Sequence, residues 1–251
     1  MKFSKKLFTF LIFCLLSSFF SCNNTSDPNS SSSSLTLIEE YNIQVTEPSG
    51  LSFGKDKKTL WTVSDAPDNR IYEMDLQGNI IQTLNYIGDD FEAIEYDSLK
   101  NVLWVAEERK YRILEISLTG DKIVNQKIDF VGNNINGFEG ICVGNSFYYA
   151  ANEKLPIKIL KLNSDFSIIS NFDLVGINDI SDLCYNNFTD QIWGISDESK
   201  LLFCFDENSG ITKSYNLPFD KMEGLAIDFE QNLVYLVNDS KSKLYIYKLK
   251  L

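Results

Sequence analysis

The sequence predicts an all-β fold, a five-bladed β-propeller, and three observations carry that prediction. One acidic or hydroxyl-bearing motif recurs five times, at Glu47, Glu92, Glu139, Ser181 and Glu223, with spacings of 45, 47, 42 and 42 residues. A period in the forties is the signature of a blade-like repeat. Between the motifs lie short runs rich in Ile, Val, Leu, Tyr and Phe, separated by Asn, Gly, Asp and Lys, which is the chemistry of strands and turns. The last repeat contains three such runs, and a spare one stands at the other end of the chain.

Taken in order, the chain opens on Lys2, Lys5 and Lys6 followed by the apolar run LFTFLIFCLLSSFF (7 to 20), the pattern of an export signal. The run ends in FFSC. That segment resembles the lipobox of bacterial lipoproteins, with residues 1–21 as the signal peptide. The resemblance implies a lipidated Cys22; an ordinary cleaved signal and an uncleaved anchor are the alternatives. Residues 22–34, including NNTSDPNSSSSS, form a serine-rich tether with nothing to bury. Residues 35–251 are then the propeller domain.

The first four units repeat four runs each, and the fifth repeats the first three. The first runs are LSF, AIEY, GICV, DLCY and GLAIDF. The second end in acids: TLWTVSD at Asp65, VLWVAEE at Glu108, FYYAANE at Glu153, IWGISDE at Glu198 and VYLVND at Asp239. RIYEMDL, RILEISL, IKILKLN, LLFCFDE and KLYIYKL come third, then NIIQTLNYI, KIVNQKIDFV, IISNFDLV and ITKSYNL. The fifth unit lacks its fourth run, and LTLIEEYNIQV (35 to 45) is placed to complete it, closing the ring by pairing an N-terminal strand with the last blade and protecting the sheet edges.

Composition narrows the chemistry. Net charge is −12, and without the three leader lysines the chain carries 20 basic and 35 acidic residues, which argues against nucleic acid as a partner. Histidine is absent, which removes serine-histidine triads and histidine-zinc sites. Abundant acidic oxygens suit a hard cation such as calcium. Cys142, Cys184 and Cys204 lie in apolar runs with no C-x-x-C spacing and read as buried free thiols.

In a propeller the first strand of each blade lines the channel and the second returns beside it, so Glu47, Glu92, Glu139 and Glu223, with Ser181, Asp179 and Asp182, should meet Asp65, Glu108, Glu153, Glu198 and Asp239 at one mouth. Crowded carboxylates raise one another's pKa unless a positive charge sits among them. Three neutralising devices are open: bound metal, ion pairs with the bases that follow each outer acid (Arg70, Arg109, Lys110, Arg112, Lys154, Lys200, Lys241, Lys243), or an organic cation.

DFEAIEYD with VAEERKYRILEI, GFEGICV with NEKLPIKILKL, DISDL with SDESK, and MEGLAID together resemble the SdiA-regulated family of NHL-like bacterial propellers over residues 46 to 249. The resemblance implies five blades and a calcium site, carried here onto Glu92, Glu108, Glu139, Glu153, Glu198 and Glu223. TEPSG in the first unit and Ser181 in the fourth depart from the family pattern.

The metal set expected from the sequence is therefore Glu47, Glu92, Glu108, Glu139, Glu153, Glu198, Glu223 and Asp239. The function expected is a calcium-binding scaffold or binding module, monomeric, lipid-anchored through Cys22 to a bacterial envelope membrane, in the first place the outer membrane, with its domain in the periplasm or at the cell surface. The alternative is a calcium-dependent hydrolase of phytase-like or lactonase-like type, with Glu139 or Glu223 as base and Arg109 and Lys154 holding an anionic ester. A third reading is a protein-interaction platform on the outer loops, with calcium only stabilising the ring. The absence of histidine and of a nucleophile motif favours binding over catalysis.

Overall fold

A computed structural model describes residues 34–250 apart from 66 and 134. The leader, Cys22 and most of the tether lie outside the described residues. Short apolar runs buried on both faces, such as those at Val102–Glu107 and Tyr148–Asn152, with hairpin turns between them, fold the described chain into five four-stranded antiparallel sheets, and alternation with exposed residues marks outer strands such as Ile168–Asp173.

The opening strand β1 (Ser34–Asn42) stands apart from the first blade. That blade is β2 (Pro48–Phe53), β3 (Thr59–Ser64), β4 (Ile71–Asp75) and β5 (Ile80–Thr83). The second is β6 (Phe91–Asp97), β7 (Val102–Glu107), β8 (Arg112–Ser117) and β9 (Lys122–Lys127). The third is β10 (Phe138–Val143), β11 (Tyr148–Asn152), β12 (Lys158–Leu162) and β13 (Ile168–Asp173). The fourth is β14 (Asp182–Asn186), β15 (Gln191–Ser196), β16 (Leu201–Asp206) and β17 (Gly210–Asn216). The fifth is β18 (Met222–Asp228), β19 (Leu233–Asn238) and β20 (Lys243–Lys250), beside which β1 runs antiparallel, from Ser34 against Lys250 to Asn42 against Lys243.

Hydrophobic burial holds the blades face to face. Five apolar clusters sit one at each junction, for example Trp104 and Phe138 between the second and third blades, and Leu51, Leu60, Val237 and Leu244 between the fifth and the first. Each second strand carries one ring at the same register: Trp61, Trp104, Tyr149, Trp193 and Tyr235 pair opposite Ser52, Glu95, Cys142, Cys184 and Ala226 of the innermost strands. Those pairings fix which residues share a layer of the channel. Cys142 and Cys204 are buried free thiols, while Cys184 is half-buried.

Two residues before each of those positions lies the waist of the channel, formed by Gly50, Ala93, Gly140, Asp182 and Gly224. Backbones meet here. A Cβ on Gly224 would fall 2.7 Å from the Gly50 carbonyl carbon, and one on Gly50 would fall 2.8 Å from Ala93 Cα. Asp182 is the one large side chain in this layer and is fully buried. Its Oδ2 accepts hydrogen bonds from Leu51 N (3.0 Å) and Leu225 N (2.7 Å), and its Oδ1 from Leu183 N (2.8 Å), tying together three blades.

Candidate functional site

One residue before the waist is the rim of one mouth: Ser49, Glu92, Glu139, Ser181 and Glu223. The three glutamates lie in interruptions of the ladder, where Phe91 pairs with Glu107 and Ala93 with Ala106, and likewise Phe138 and Gly140, Met222 and Gly224. Such bulges re-aim a side chain, here into the channel mouth, without breaking the strand. In the first blade the extra residue is Gly50, at φ +60°, where glycine is favoured.

The layer therefore corrects the sequence alignment at two places. Ser49, not Glu47, is the counterpart of Glu92; Glu47 lies two residues earlier, at the position of Asp90 and Lys221, and its carbonyl accepts from Asp65 N just as theirs accept from Glu108 N and Asp239 N. In the fourth blade the residue following the second strand is Asp197, so Glu198 falls one step outside the ring of Asp65, Glu108, Glu153 and Asp239. Two consecutive acids end IWGISDE; Glu198 is the one expected from the sequence, and the β14–β15 register places Asp197 in the ring instead.

Together these groups line a cavity of about 200 Å³: Glu47, Asp65, Glu92, Glu139, Glu153, Asp179, Asp197, Glu198, Glu223 and Asp239 supply ten carboxylates against Lys154 and Lys221. Two tight groups form within the mouth and beside it. Glu108, Glu139 and Glu153 offer carboxylate oxygens that all lie within 4.8 Å of one another, and so do Asp65, Asp90 and Glu92. Arg109 joins the two, its guanidinium 2.9 Å from Asp90 Oδ1 and 3.3 Å from Glu108 Oε2. Asp90 Oδ2 is buried with no hydrogen-bond partner among the described residues.

Electrostatics follow from that crowding. Burial and then the charges of Glu153, Glu92 and Glu223 push Glu139 well above the ordinary carboxylate range, and burial followed by Asp65 does the same to Glu92. Burial and Asp90 push Glu108 up to about 7, even with Arg109 beside it. Glu223 also rises to about 7, through burial and Asp197. Lys221 is pulled down by burial, but Glu223 and Asp197 outweigh that and hold it at about 12.

Of the residues expected from the sequence, Glu108, Glu139 and Glu153 converge, and Glu92 joins Asp65 and Asp90. Glu47, Glu223 and Asp239 line the same cavity but belong to neither trio. Glu198 is exposed at the edge, 3.0 Å from Lys154. Arg109 and Lys154 are both engaged, the latter by Glu153 and Glu198. Asp90 and Asp197 went unrecognised because the alignment followed the motif glutamates and the last acid of each second run.

A family model described as SdiA-regulated matches residues 35–248. The chain belongs to the SdiA-regulated family. Among solved structures, this member is similar to glutaminyl cyclase of Myxococcus xanthus, with a TM-score of 0.71, 13% identity, and 87% of this chain against 97% of that one covered. It is also similar to virginiamycin B lyase of Staphylococcus aureus (TM-score 0.52, 19% identity, 85% and 71% covered) and to a streptogramin B lyase (0.51, 14%, 86% and 98%). At those identities the likeness is one of fold.

Proposed function

We propose that this SdiA-regulated propeller binds calcium at the acidic mouth and acts as a binding or scaffold module at the cell envelope, exported and held to a membrane through a lipidated Cys22. The observation that carries the metal reading is the trio Glu108, Glu139 and Glu153. Calcium binds oxygens at about 2.3–2.6 Å, so two ligands on one ion stand at most about 5 Å apart. A spread within 4.8 Å fits that limit. Further support comes from the donors themselves, which are all oxygen, and from carboxyls pushed up by burial and mutual repulsion, the condition a bound cation relieves.

Glu108, Glu139 and Glu153 would hold the ion, with Asp65, Asp90 and Glu92 as a second candidate set joined through Arg109. The ion would supply a fixed positive charge able to anchor an anionic partner. The hydrolytic alternative would use Arg109 and Lys154 to seat an anionic ester, and their present engagement by carboxylates favours the binding role instead.

Calorimetric titration of calcium into the chelator-stripped protein tests this. Saturable binding of about one ion, weakened about tenfold or more in Glu139→Gln and Glu153→Gln but little in Glu47→Gln, is expected. No binding heat, with melting unchanged by calcium, would reduce the glutamates to ion-paired structural groups.

A further inference from the structure

Because the waist is closed by backbone and by Asp182, the two mouths of the channel are separate sites. The mouth opposite the acidic rim opens into a cavity of about 680 Å³, a size that suits a small organic molecule and far exceeds a metal ion. Its inner ring is the layer Ser52, Glu95, Cys142, Cys184 and Ala226, in which Glu95 is the one carboxylate. Glu95 is held in place: its Oε2 accepts from Ser52 Oγ at 2.7 Å, and that hydroxyl accepts from Tyr96 N at 3.0 Å. Apolar walls of Leu51, Leu225 and Ile227 and the rings of Phe53, Tyr96 and Tyr185 surround it.

The rim carries both signs, Lys55 and Lys57 with Asp56 between them, and Asp56 is turned toward Lys58 at 4.0 Å. The turn Lys55–Lys57 overhangs the cavity, with Lys57 Nζ clamped 2.8 Å from Asp228 Oδ1. Lys55 is exposed and is in no ion pair among the described residues.

We propose that this mouth is a second binding site, for a small organic zwitterion whose primary ammonium pairs with Glu95 while its carboxylate reaches Lys55. A half-buried carboxyl, the aromatic residues Phe53, Tyr96 and Tyr185 and an apolar wall are what an alkylammonium needs, since each compensates part of its lost hydration. Burial raises Glu95 to about 7, a state that an incoming cation reverses. The site does not depend on calcium at the other mouth.

The test is calorimetry on the full chain in detergent with three probes of one length: γ-aminobutyrate, n-butylamine and butyrate. The zwitterion should bind best, the amine more weakly and the acid not at all. Glu95→Gln should weaken both binders about tenfold or more, and Glu139→Gln should change neither. Lys55→Glu, on the surface where folding is not at stake, should weaken γ-aminobutyrate several-fold and spare n-butylamine. Absence of binding by all three probes at about 10 mM, or a folded Glu95→Gln that binds like the parent, overturns the site. A Lys55→Glu variant that leaves the preference for γ-aminobutyrate over n-butylamine intact overturns it as well.

Discussion

Replacing Asp182 by alanine should destabilise the ring more than any rim substitution. The carboxyl is fully buried and accepts from Leu51, Leu183 and Leu225 N–H groups, on inner strands of the first, fourth and fifth blades. Truncation strands three buried donors, at about 1–3 kcal/mol each, or on the order of 3–9 kcal/mol together. Release from the desolvation that pushes this carboxyl upward offsets part of that loss. A net cost of about 4 kcal/mol follows, and in a domain of this size it lowers Tm by about 8–16 °C. Asparagine keeps one acceptor oxygen for Leu51 N and Leu225 N but turns an amide N–H₂ toward Leu183 N, so a cost of about 2 kcal/mol is expected. Urea unfolding followed by tryptophan fluorescence gives both values as shifts of the midpoint at constant slope. An alanine variant within about 0.5 kcal/mol of the parent would mean that the three N–H groups find other partners and that the waist is not pinned by this carboxylate.

Gly50→Ala should cost about 2–4 kcal/mol by the same measurement, because φ is +60° and the new Cβ would fall 2.8 Å from Ala93 Cα and Ile94 N. In chelator, Glu108 and Glu223 stand at about 7 against an ordinary 4.5, so the folded state holds more protons between those values. Their stabilisation is full below about 4.5 and is lost as pH rises through about 7; Tm should therefore be higher at pH 5.5 than at 8.5, and a rising trend would refute the assignment. Lys154→Met removes the ammonium held by Glu153 and Glu198 and should tighten calcium several-fold at low salt, read by competition with a fluorescent chelator. Metabolic labelling with an alkyne fatty acid should mark the parent and not Cys22→Ala.

Much of this architecture was legible from local chemistry alone. Period, strand-type runs and turn residues identify five four-run units, since side-chain alternation and turn preference are set within a few residues of chain. The acidic character of one mouth was legible for the same reason: first strands begin, and second strands end, at one side of the disc. Register was not. Whether Glu47 or Ser49 shares a layer with Glu92, and whether Asp197 or Glu198 follows the fourth blade's second strand, depends on a one-residue bulge and on pairings between strands.

The sequence by itself determined the repeat, the charge and the oxygen-rich donor set. Only the tertiary structure decided which carboxylates meet within 4.8 Å, that Asp182 plugs the waist, and that Glu95 faces a separate cavity. The physical reason is that such proximities arise between blades about forty residues apart, where the packing of inner strands around a common axis, rather than any local preference, sets the distances.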